Sequence, residues 1–276
     1  MKRIEELIVS HTCRGMEILR PYLPEYFCRD AAEEILHWPK GTVLLTTGFY
    51  VNGYGENDGP CGTMCIAAAL RTMGFHCVIV TDQFCQDYFE QEQFEVVYLD
   101  VAADKQVCQQ LLNQYQPVGM IAVERCGRNP SGDYINIRNS SIRSFVAPAD
   151  WLFILGEGRI PTIGIGDGGN EIGMGNLADV ITEQLAVVPC CVRADHLIIA
   201  AVSNWGAFGL TAYLELLSGQ AVMPTYEQIS HYYQMGYQLG HVDGTTQKRD
   251  PDTVDGFDRL LERELVEALY AAIQSR

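Results

Sequence analysis

The sequence predicts an α/β fold: an open, mainly parallel sheet flanked by helices in a Rossmann-like three-layer arrangement, with helical segments at both ends of the chain. Short β-branched apolar runs alternate with amphipathic helical patterns, which is typical of βα units. Glycine and polar residues follow most of the apolar runs, as loops do at the carboxyl edge of a parallel sheet. With 276 residues the chain can bury a substantial core, and we predict one domain over residues 1–276.

Each strand is predicted from an apolar run that ends at glycine or polar residues. The predicted strands cover residues 43–47, 77–81, 95–100, 118–124, 162–165 and 196–202. Each helix is predicted from the 3.6-residue spacing of its apolar positions, and Asp104 is a typical N-cap. The predicted helices cover residues 11–22, 63–72, 84–91, 104–115, 207–217, 226–239 and 257–273. Residues 125–144 are polar and lack a clear period, which favours a lid or a small hairpin across a site.

The charge and hydropathy of the chain argue against two classes of partner, nucleic acids and membranes. The net charge is -16 and the sequence pI is about 4.7, so the surface repels phosphate backbones and argues against nucleic acid. No apolar stretch approaches the roughly 20 residues that cross a bilayer, and the first residues lack the apolar segment of a signal peptide. We therefore expect no membrane partner, and the sequence leaves a homo-oligomer open.

Ten cysteines raise the question of disulfides or a zinc site. No two of them have Cys-x-x-Cys spacing, which disfavours both. Several, such as Cys77, stand in apolar runs where a reduced thiol acts as a small core residue. A reducing, cytoplasmic location fits this usage best.

The most informative run covers residues 164–176, where six glycines stand in thirteen residues. Such a run ruins a helix or strand but allows turns with positive φ and a close approach to a ligand. Asp167, Asn170 and Glu171 are polar residues within it. Its formal Gly-x-Gly-x-x-Gly is a weak dinucleotide signal, because the first glycine lies inside the strand and Asp167 opposes a pyrophosphate. We expect no nucleotide cofactor.

Other polar clusters also follow predicted strands, where ligands bind in open parallel sheets. Taken singly, each has a simpler structural explanation. Residues 56–60 suit a turn and helix cap, Glu124 with Arg125 suits an ion pair, and residues 203–204 suit the cap of a helix from residue 207. Taken together, they place several carboxylates around one crevice. These are Glu56, Asp58, Glu124, Asp167 and Glu171.

A group of carboxylates in one crevice supports two kinds of chemistry. It binds a hard divalent cation of the Mg or Ca class through oxygen ligands, or it holds carboxyl groups with raised pKa for proton transfer. The sequence does not separate these two. Arg125, Arg128 and Arg138 stand close enough in the chain to provide guanidinium groups for an anionic substrate.

The order of these motifs resembles the D-glutamate cyclase-like C-terminal family over nearly the whole chain. The matching segments are residues 48–49, 56–62, 124–128, 132–134, 166–175, 203–206, 242–244 and 254–256. The run Gly-Asp-Gly-Gly-Asn-Glu-Ile-Gly-Met-Gly is the most specific of them. As judged from the sequence, the chain departs from the family pattern at Asn57, Cys61 and Cys126, which are neighbours of the carboxylates.

The resemblance implies a hydro-lyase that converts D-glutamate to 5-oxo-D-proline and water. On this hypothesis Glu124, Asp167 and Glu171 are catalytic, with Glu124 as the base. Asp167 and Glu171, with Glu56 or Asp58, hold a divalent cation or a shared proton at the γ-carboxylate, and Asp58, Asp167 and Glu171 form the metal set. The substrate-binding residues are then Glu56, Asp58, Arg125, Arg128, Asn170, Ser203 and Asn204.

Within that set, Arg125 or Arg128 anchors the α-carboxylate. The amide of Asn204, with a helix N-terminus, donates to the developing oxyanion. Two other functions remain open from the sequence: a non-catalytic binding or sensor protein for an acidic amino acid or small anionic metabolite, and a different lyase or hydrolase on the same scaffold. The Asp-Gly pairs at Asp243 and Asp255 are tight-turn signals, for which we expect a structural role.

Overall fold

A six-stranded parallel sheet lies at the centre of the protein, of which the computed structural model describes residues 2–275. Two further pairs of short antiparallel strands lie outside this sheet. In chain order the strands are β1 (Thr42–Thr46), β2 (Tyr50–Val51), β3 (Tyr54–Gly55), β4 (His76–Thr81), β5 (Glu95–Tyr98), β6 (Gly119–Val123), β7 (Thr162–Gly166), β8 (His196–Ile199), β9 (Thr253–Val254) and β10 (Phe257–Asp258).

Helices flank the sheet and complete the predicted three-layer α/β fold. In chain order they are α1 (Ile4–Ile8), α2 (Met16–Leu19), α3 (Phe27–His37), α4 (Pro60–Thr72), α5 (Lys105–Tyr115), α6 (Asp150–Gly156), α7 (Ala178–Gln184), α8 (Ser203–Ser218), α9 (Tyr226–Leu239) and α10 (Arg259–Gln274). α8 packs against both α3 and α4, and α5 packs against α6. The central strands β1, β6 and β7 are almost wholly buried, as strands covered on both faces are.

The order of strands across the sheet is β5-β4-β1-β6-β7-β8. The chain therefore moves outward from β1 through β4 to β5, returns to β6 beside β1, and moves outward in the other direction. The direction changes between β1 and β6, which pair from Val43 with Gly119 to Thr46 with Ala122. In such sheets a crevice opens beyond the carboxyl ends of the strands at this change of direction. The predicted site residues follow β1, β6, β7 and β8.

Two predicted helices are wrong. Residues 11–22 do not form one helix, because His11 has φ 69° and Gly15 has φ 84°, and only Met16–Leu19 is α-helical before a 3₁₀ turn. Residues 84–91 form parts of two 3₁₀ turns, Gln83–Cys85 and Phe89–Glu92, separated by Asp87 with φ 62°. A positive φ interrupts a right-handed helix whatever the apolar spacing around it.

The predicted boundary between the sixth strand and the next helix is also wrong. β8 ends at Ile199, and α8 begins at Ser203 rather than at residue 207. Ser203 and Asn204 therefore lie inside the first turn and do not cap it. The cap comes from the loop after β1, because the Asp58 carboxylate accepts hydrogen bonds from the backbone N–H groups of Ser203 at 2.9 Å and Asn204 at 2.7 Å.

Other elements agree closely with the sequence. The predicted helix 226–239 has the bounds of α9, and Asp104 caps α5 by accepting from Gln106 and Val107. The short helices α6 and α7 were not predicted. Within residues 2–275, no helix combines the length and apolar character that crossing a bilayer requires.

Candidate active site

A cavity of about 650 Å³ opens beside the loops that follow β1, β6 and β7. The N-terminal segment and the turn after α9 also contribute to its wall. Its lining residues are Cys13, Arg14, Phe49, Tyr50, Val51, Asn52, Glu56, Glu124, Asn136, Ile137, Arg138, Ser140, Gly168, Asn170, Glu171, Gly244, Thr245 and Gln247. Its volume falls in the range of small-molecule sites.

Six buried carboxylates lie together at the inner end of this cavity, and we call them the carboxylate cluster. They are Glu56, Asp58, Glu124, Asp167, Glu171 and Asp255. Glu56, Glu124 and Glu171 line the cavity, while the three aspartates lie behind them. The structure thus brings together every carboxylate that the sequence singled out and adds Asp255.

The cluster contains two groups of oxygens that meet at Asp167. One oxygen each from Asp58, Asp167 and Asp255 lies within 4.8 Å of the others. A second group, also within 4.8 Å, joins Glu124, Asp167 and Glu171. The metal set predicted from the sequence is therefore divided, because Asp58 belongs to the first group and Glu171 to the second.

Arg14 provides the positive charge of the first group. Its guanidinium lies 2.5 Å from an Asp167 oxygen and 2.8 Å from an Asp255 oxygen, and it also donates to Thr245 at 2.9 Å. Within residues 2–275, it is the only Lys or Arg side chain that forms an ion pair with the cluster. One cation among six buried carboxylates leaves most of the negative charge uncompensated.

This imbalance shifts the acidity of the cluster. Burial raises the pKa of Glu56, Asp58, Glu124 and Asp167 well above the usual carboxyl range, and the neighbouring carboxylates add to the effect. Burial also raises the pKa of Glu171, although backbone hydrogen bonds oppose it. Carboxyl groups with raised pKa are suited to acid and base catalysis.

Asp255 is the exception in the cluster. Burial alone would raise its pKa, but the Arg14 guanidinium, with the neighbouring carboxyl groups of Asp167 and Asp58, holds the pKa below the usual value. The buried Oδ2 atoms of Asp167 and Asp255 both lack a hydrogen-bond donor. A proton on one of these carboxyl groups, or a cation, would supply the missing partner.

Glu124 stands at the point where β6 ends. Its backbone has φ 46°, a left-handed conformation that is costly for a residue other than glycine and that recurs at functional sites. The turn directs the carboxylate into the cavity, where its Oε2 accepts a hydrogen bond of 2.5 Å from the Ser203 hydroxyl. This contact fixes the side chain of the predicted base.

Glu171 explains much of the glycine content of the loop after β7. Its carboxylate folds back and accepts from the backbone N–H groups of Gly168 at 2.9 Å and Gly169 at 2.8 Å. A Cβ on residue 168 would lie 2.7 Å from Glu171 Oε1. The glycines thus let the backbone wrap closely around one buried carboxylate. Asn170 lies beside it in the cavity wall and donates to the Ile135 carbonyl at 2.8 Å.

Gly244 leaves the space that the Glu56 carboxylate occupies. A Cβ on residue 244 would overlap Glu56 Oε1, and Gly244 does not have a positive φ. If the chain has the cyclase activity that the resemblance implies, Gly244→Ala is expected to displace Glu56 and lower kcat/KM for D-glutamate at least about tenfold, which steady-state kinetics would measure. The control is Gly74→Ala, where φ is 89° and no atom lies near the Cβ.

For Gly74→Ala we expect a stability loss of about 1–2 kcal/mol from the left-handed backbone, with unchanged turnover. Equal losses of activity in both variants would contradict the assigned role of Gly244.

Asn204 does not have a free donor for an oxyanion. Its Oδ1 accepts from Gly59 and Gly62, and its Nδ2 donates to the Asn57 carbonyl and the Tyr233 hydroxyl. The first N–H groups of α8 are already held by Asp58. The predicted oxyanion role therefore has no available group, and Asn204 instead joins α4 to α8.

Arg125 and Arg128 lie outside the cavity lining. Arg125 is fully buried, with its guanidinium held by Asp82 at 2.7 Å and by the carbonyls of Thr47, Gly48 and Ala147. Arg128 makes a two-pronged contact with Asp150 at 2.7 and 3.1 Å. Both guanidinium groups are committed to structural partners, so neither is placed to anchor a substrate carboxylate.

Arg138 is the arginine of this segment that faces the cavity. Within residues 2–275, its guanidinium forms no ion pair or hydrogen bond. Asn136 closes the turn that carries it by accepting from the N–H groups of Arg138 and Ser140, each at 3.0 Å. Asn139 fastens the turn through bonds with Ala186 and Val188. We expected a lid or a small hairpin in residues 125–144. The structure has a small hairpin turn there, bridged between Ile135 and Ser141, and this turn carries the free guanidinium of Arg138.

The sequence missed one carboxylate of the cluster, Asp255, and its counter-ion, Arg14. Arg14 was hidden in an amphipathic pattern that predicts a helix, and it had no local signal. Asp255 belongs to a Val-Asp-Gly motif that occurs at residues 242–244 and again at 254–256, and we expected only turns there. That expectation holds for Asp243, whose carboxylate accepts from the N–H groups of Thr246 and Gly256 and so joins the two turns.

The carboxylate cluster has ligands suited to a hard cation. Glu124, Asp167 and Glu171 supply oxygens near the cavity, whereas Arg14 already neutralises the group around Asp255. The excess of buried negative charge and the unpaired Asp167 oxygen both fit a divalent ion at this second group.

Comparisons with known proteins agree with the motifs. The sequence model of the family described as "D-glutamate cyclase-like, C-terminal" matches residues 4–270. A relative, the human protein named D-glutamate cyclase, mitochondrial, is 32% identical over 212 residues, which are 67% of this chain and 34% of the relative. The chain thus spans about a third of the length of that relative.

Among solved structures, a variant of actinorhodin polyketide ketoreductase with NADPH aligns over 86% of this chain and 91% of its own. Its sequence identity is 14% and the TM-score is 0.31.

Proposed function

Because this chain belongs to the D-glutamate cyclase-like C-terminal family, we propose that it cyclises D-glutamate to 5-oxo-D-proline with loss of water. The observation that carries the proposal is the carboxylate cluster at the inner end of the cavity, where several groups have raised pKa and one is held ionised. Cyclisation needs one group that takes a proton from the amine and another that protonates the departing oxygen.

Glu124 is the proposed base. The α-ammonium group of the substrate is attracted to the negative inner end of the cavity, where Glu124 is fixed by Ser203. A raised pKa makes this carboxylate a stronger base than a carboxylate in water. Once deprotonated, the amine nitrogen attacks the γ-carboxyl carbon, and the folded substrate gains from proximity because the reaction is intramolecular.

Glu56 is the proposed acid, since it lines the cavity and burial raises its pKa. It protonates the γ-carboxyl oxygen that leaves. The N–C bond forms, one C–O bond breaks, and the two protons lost by the α-ammonium group leave in the water molecule. Asp167 and Asp255 lie behind these residues and supply a shared proton or bind a cation, and Glu171 forms the wall beside Glu124.

Arg138 is the proposed anchor of the α-carboxylate, in place of Arg125 and Arg128. The inner end of the cavity repels an anion, so the α-carboxylate faces outward, where the free guanidinium of Arg138 lies. A guanidinium binds a carboxylate with two parallel hydrogen bonds.

Arg138→Met is expected to raise KM for D-glutamate about tenfold or more and to lower kcat less, because a charged hydrogen bond of about 1.5–3 kcal/mol is lost. Initial-rate kinetics would show this split between KM and kcat. Arg143→Met is the matched control, since Arg143 lies on the same segment, donates to the Gly132 carbonyl and does not line this cavity. A normal KM in Arg138→Met would contradict the anchor.

A divalent cation bound by Glu124, Asp167 and Glu171 would polarise the γ-carboxylate and reduce the negative charge of the cluster. Millimolar Mg²⁺, Ca²⁺ or Mn²⁺ is then expected to raise the melting temperature of chelator-treated protein. At an ion concentration one hundred times Kd, binding to the native state adds about 2.7 kcal/mol to the free energy of unfolding. Asp167→Asn should lose this shift, whereas Asp179→Asn, an exposed carboxylate on α7, should retain it. If the melting temperature of the parent protein does not change, the cation is refuted and protons balance the charge of the cluster.

The test of the proposed function is incubation of the purified chain with D-glutamate and detection of 5-oxoproline, with L-glutamate in parallel. Formation of 5-oxo-D-proline supports the proposal. Thermal stabilisation by D-glutamate without turnover would instead favour a binding protein for an acidic amino acid. If D-glutamate causes neither thermal stabilisation nor turnover, both functions are refuted for this chain.

A further inference from the structure

We propose that the cavity also accepts D-glutamate derivatives whose γ-carboxyl is joined to an amine, and that it cyclises these γ-glutamyl amides with release of the amine. This inference rests on the proposed function, because the same nitrogen attacks the same carbon. It is carried by the size of the cavity, by an apolar wall, and by the excess negative charge of the carboxylate cluster.

The cavity is larger than free glutamate requires. At about 30 Å³ for each water in the liquid, glutamate with about ten non-hydrogen atoms needs roughly half of the space present. The cavity volume is about 650 Å³. With the α-amine at the inner end, the remaining space lies toward the opening, where a substituent on the γ-carbonyl would extend.

One wall of that space is apolar. Phe49 and Val51 line it and belong to a small buried cluster that is separate from the main core. Tyr50 lies between them with its ring stacked on Phe145 at 4.0 Å and edge-on to Phe84 at 5.2 Å, so the ring is held in place. Free glutamate has no apolar group beyond its two methylenes to cover this wall. The apolar or aromatic group of a γ-linked amine would cover it.

The charge of the cluster favours an amide over a free carboxylate. The substrate's α-ammonium group is attracted to the inner end, but an ionised γ-carboxylate held beside the ionised base Glu124 is repelled by it. A neutral amide carbonyl avoids this repulsion. It is also a better electrophile than an ionised carboxylate, so less activation is required.

The proposed step is balanced without an oxidant or a reductant. The α-amine nitrogen bonds to the γ-carbonyl carbon and the C–N bond to the leaving amine breaks. Glu124 takes a proton from the attacking nitrogen, and the cluster returns a proton to the leaving nitrogen. The two protons lost by the α-ammonium group leave with the amine, which departs as its ammonium ion, and 5-oxoproline is the other product.

The experiment compares γ-D-glutamyl benzylamide, γ-D-glutamyl methylamide and D-glutamate as substrates, with 5-oxoproline and released amine as the readouts. We expect both amides to be converted. In the parent protein kcat/KM should be higher for the benzylamide, and in Tyr50→Ala the ratio of benzylamide to methylamide should fall about tenfold, as expected for lost aromatic contact. Tyr54→Ala is the matched control, because Tyr54 is 55% exposed and does not line the cavity.

The outcomes separate the inference from the proposed function. Conversion of D-glutamate with no amine released from either amide would overturn the inference and leave the proposed function intact. Conversion of the amides alone would support the inference and refute turnover of the free acid. An unchanged benzylamide ratio in Tyr50→Ala would overturn the position assigned to the leaving group, and conversion of none of the three would overturn both proposals.

Discussion

Glu124→Gln is expected to lower kcat for 5-oxoproline formation by a factor of about 10² to 10⁴, the usual contribution of a general base. The amide keeps the shape of the side chain and still accepts from the Ser203 hydroxyl, whose contact with Glu124 is 2.5 Å. It does not accept the ammonium proton. Initial-rate kinetics with D-glutamate, together with a thermal melt, would measure both effects.

The melting temperature of Glu124→Gln should be unchanged or higher, because the substitution removes a carboxyl group whose ionisation is costly in a buried, crowded cluster. Glu262→Gln is the matched control. Glu262 is a buried carboxylate outside the cavity, where it pairs with Arg259 and accepts from Trp205 and Tyr233. We expect that variant to melt earlier and to keep its turnover. Normal turnover in Glu124→Gln would remove Glu124 from the mechanism.

Arg14→Met is expected to destabilise the protein by about 3–5 kcal/mol above neutral pH, because it leaves the carboxylates of Asp167 and Asp255 buried without their counter-charge. Most of this loss should be recovered near pH 5, where those groups take up protons instead. Denaturant unfolding of both proteins across pH 5 to 8 would measure the difference. Arg14→Lys retains the charge but has no guanidinium fork, and its loss should be smaller.

The free energy of unfolding of the parent protein should also fall as the pH rises, but less steeply than that of Arg14→Met. The folded pKa is raised for Glu56, Asp58, Glu124, Asp167 and Glu171 and lowered for Asp255. Above the unfolded carboxyl pKa of about 4, the native state therefore holds more protons than the unfolded state, and stability falls as the pH rises. The assigned pKa shifts would be contradicted if the stability of the parent protein rose from pH 5 to 8 and the stability of Arg14→Met rose in parallel with it.

The sequence predicted the sheet and the carboxyl edge where the site lies, because strand periodicity and the glycine-rich loop are local signals. It also predicted five of the six carboxylates. It did not predict that Arg125 and Arg128 form buried ion pairs, because tertiary packing alone brings Asp82 and Asp150 to them. Arg14 was missed for the same reason: its partner Asp167 is 153 residues away in the chain.

The helix boundary at residue 203 shows how a distant residue changes a local prediction. Ser, Thr, Asp or Asn before an apolar run usually marks a helix start, so residues 203–204 suggested a cap. The helix instead includes these residues, because Asp58 satisfies its first N–H groups from another loop. A cap supplied across the fold has no signature in the sequence around the helix.

That cap also determines when the site forms during folding. Asp58 meets the first turn of α8 across 145 and 146 residues of chain, so this contact closes a long loop. Contacts of such separation form late, after the ordering of local elements has offset part of the entropy of closure. The carboxylate cluster is therefore assembled only when both halves of the sheet have docked, because the first half of the chain supplies Glu56, Asp58 and Glu124 and the second half supplies Asp167, Glu171 and Asp255.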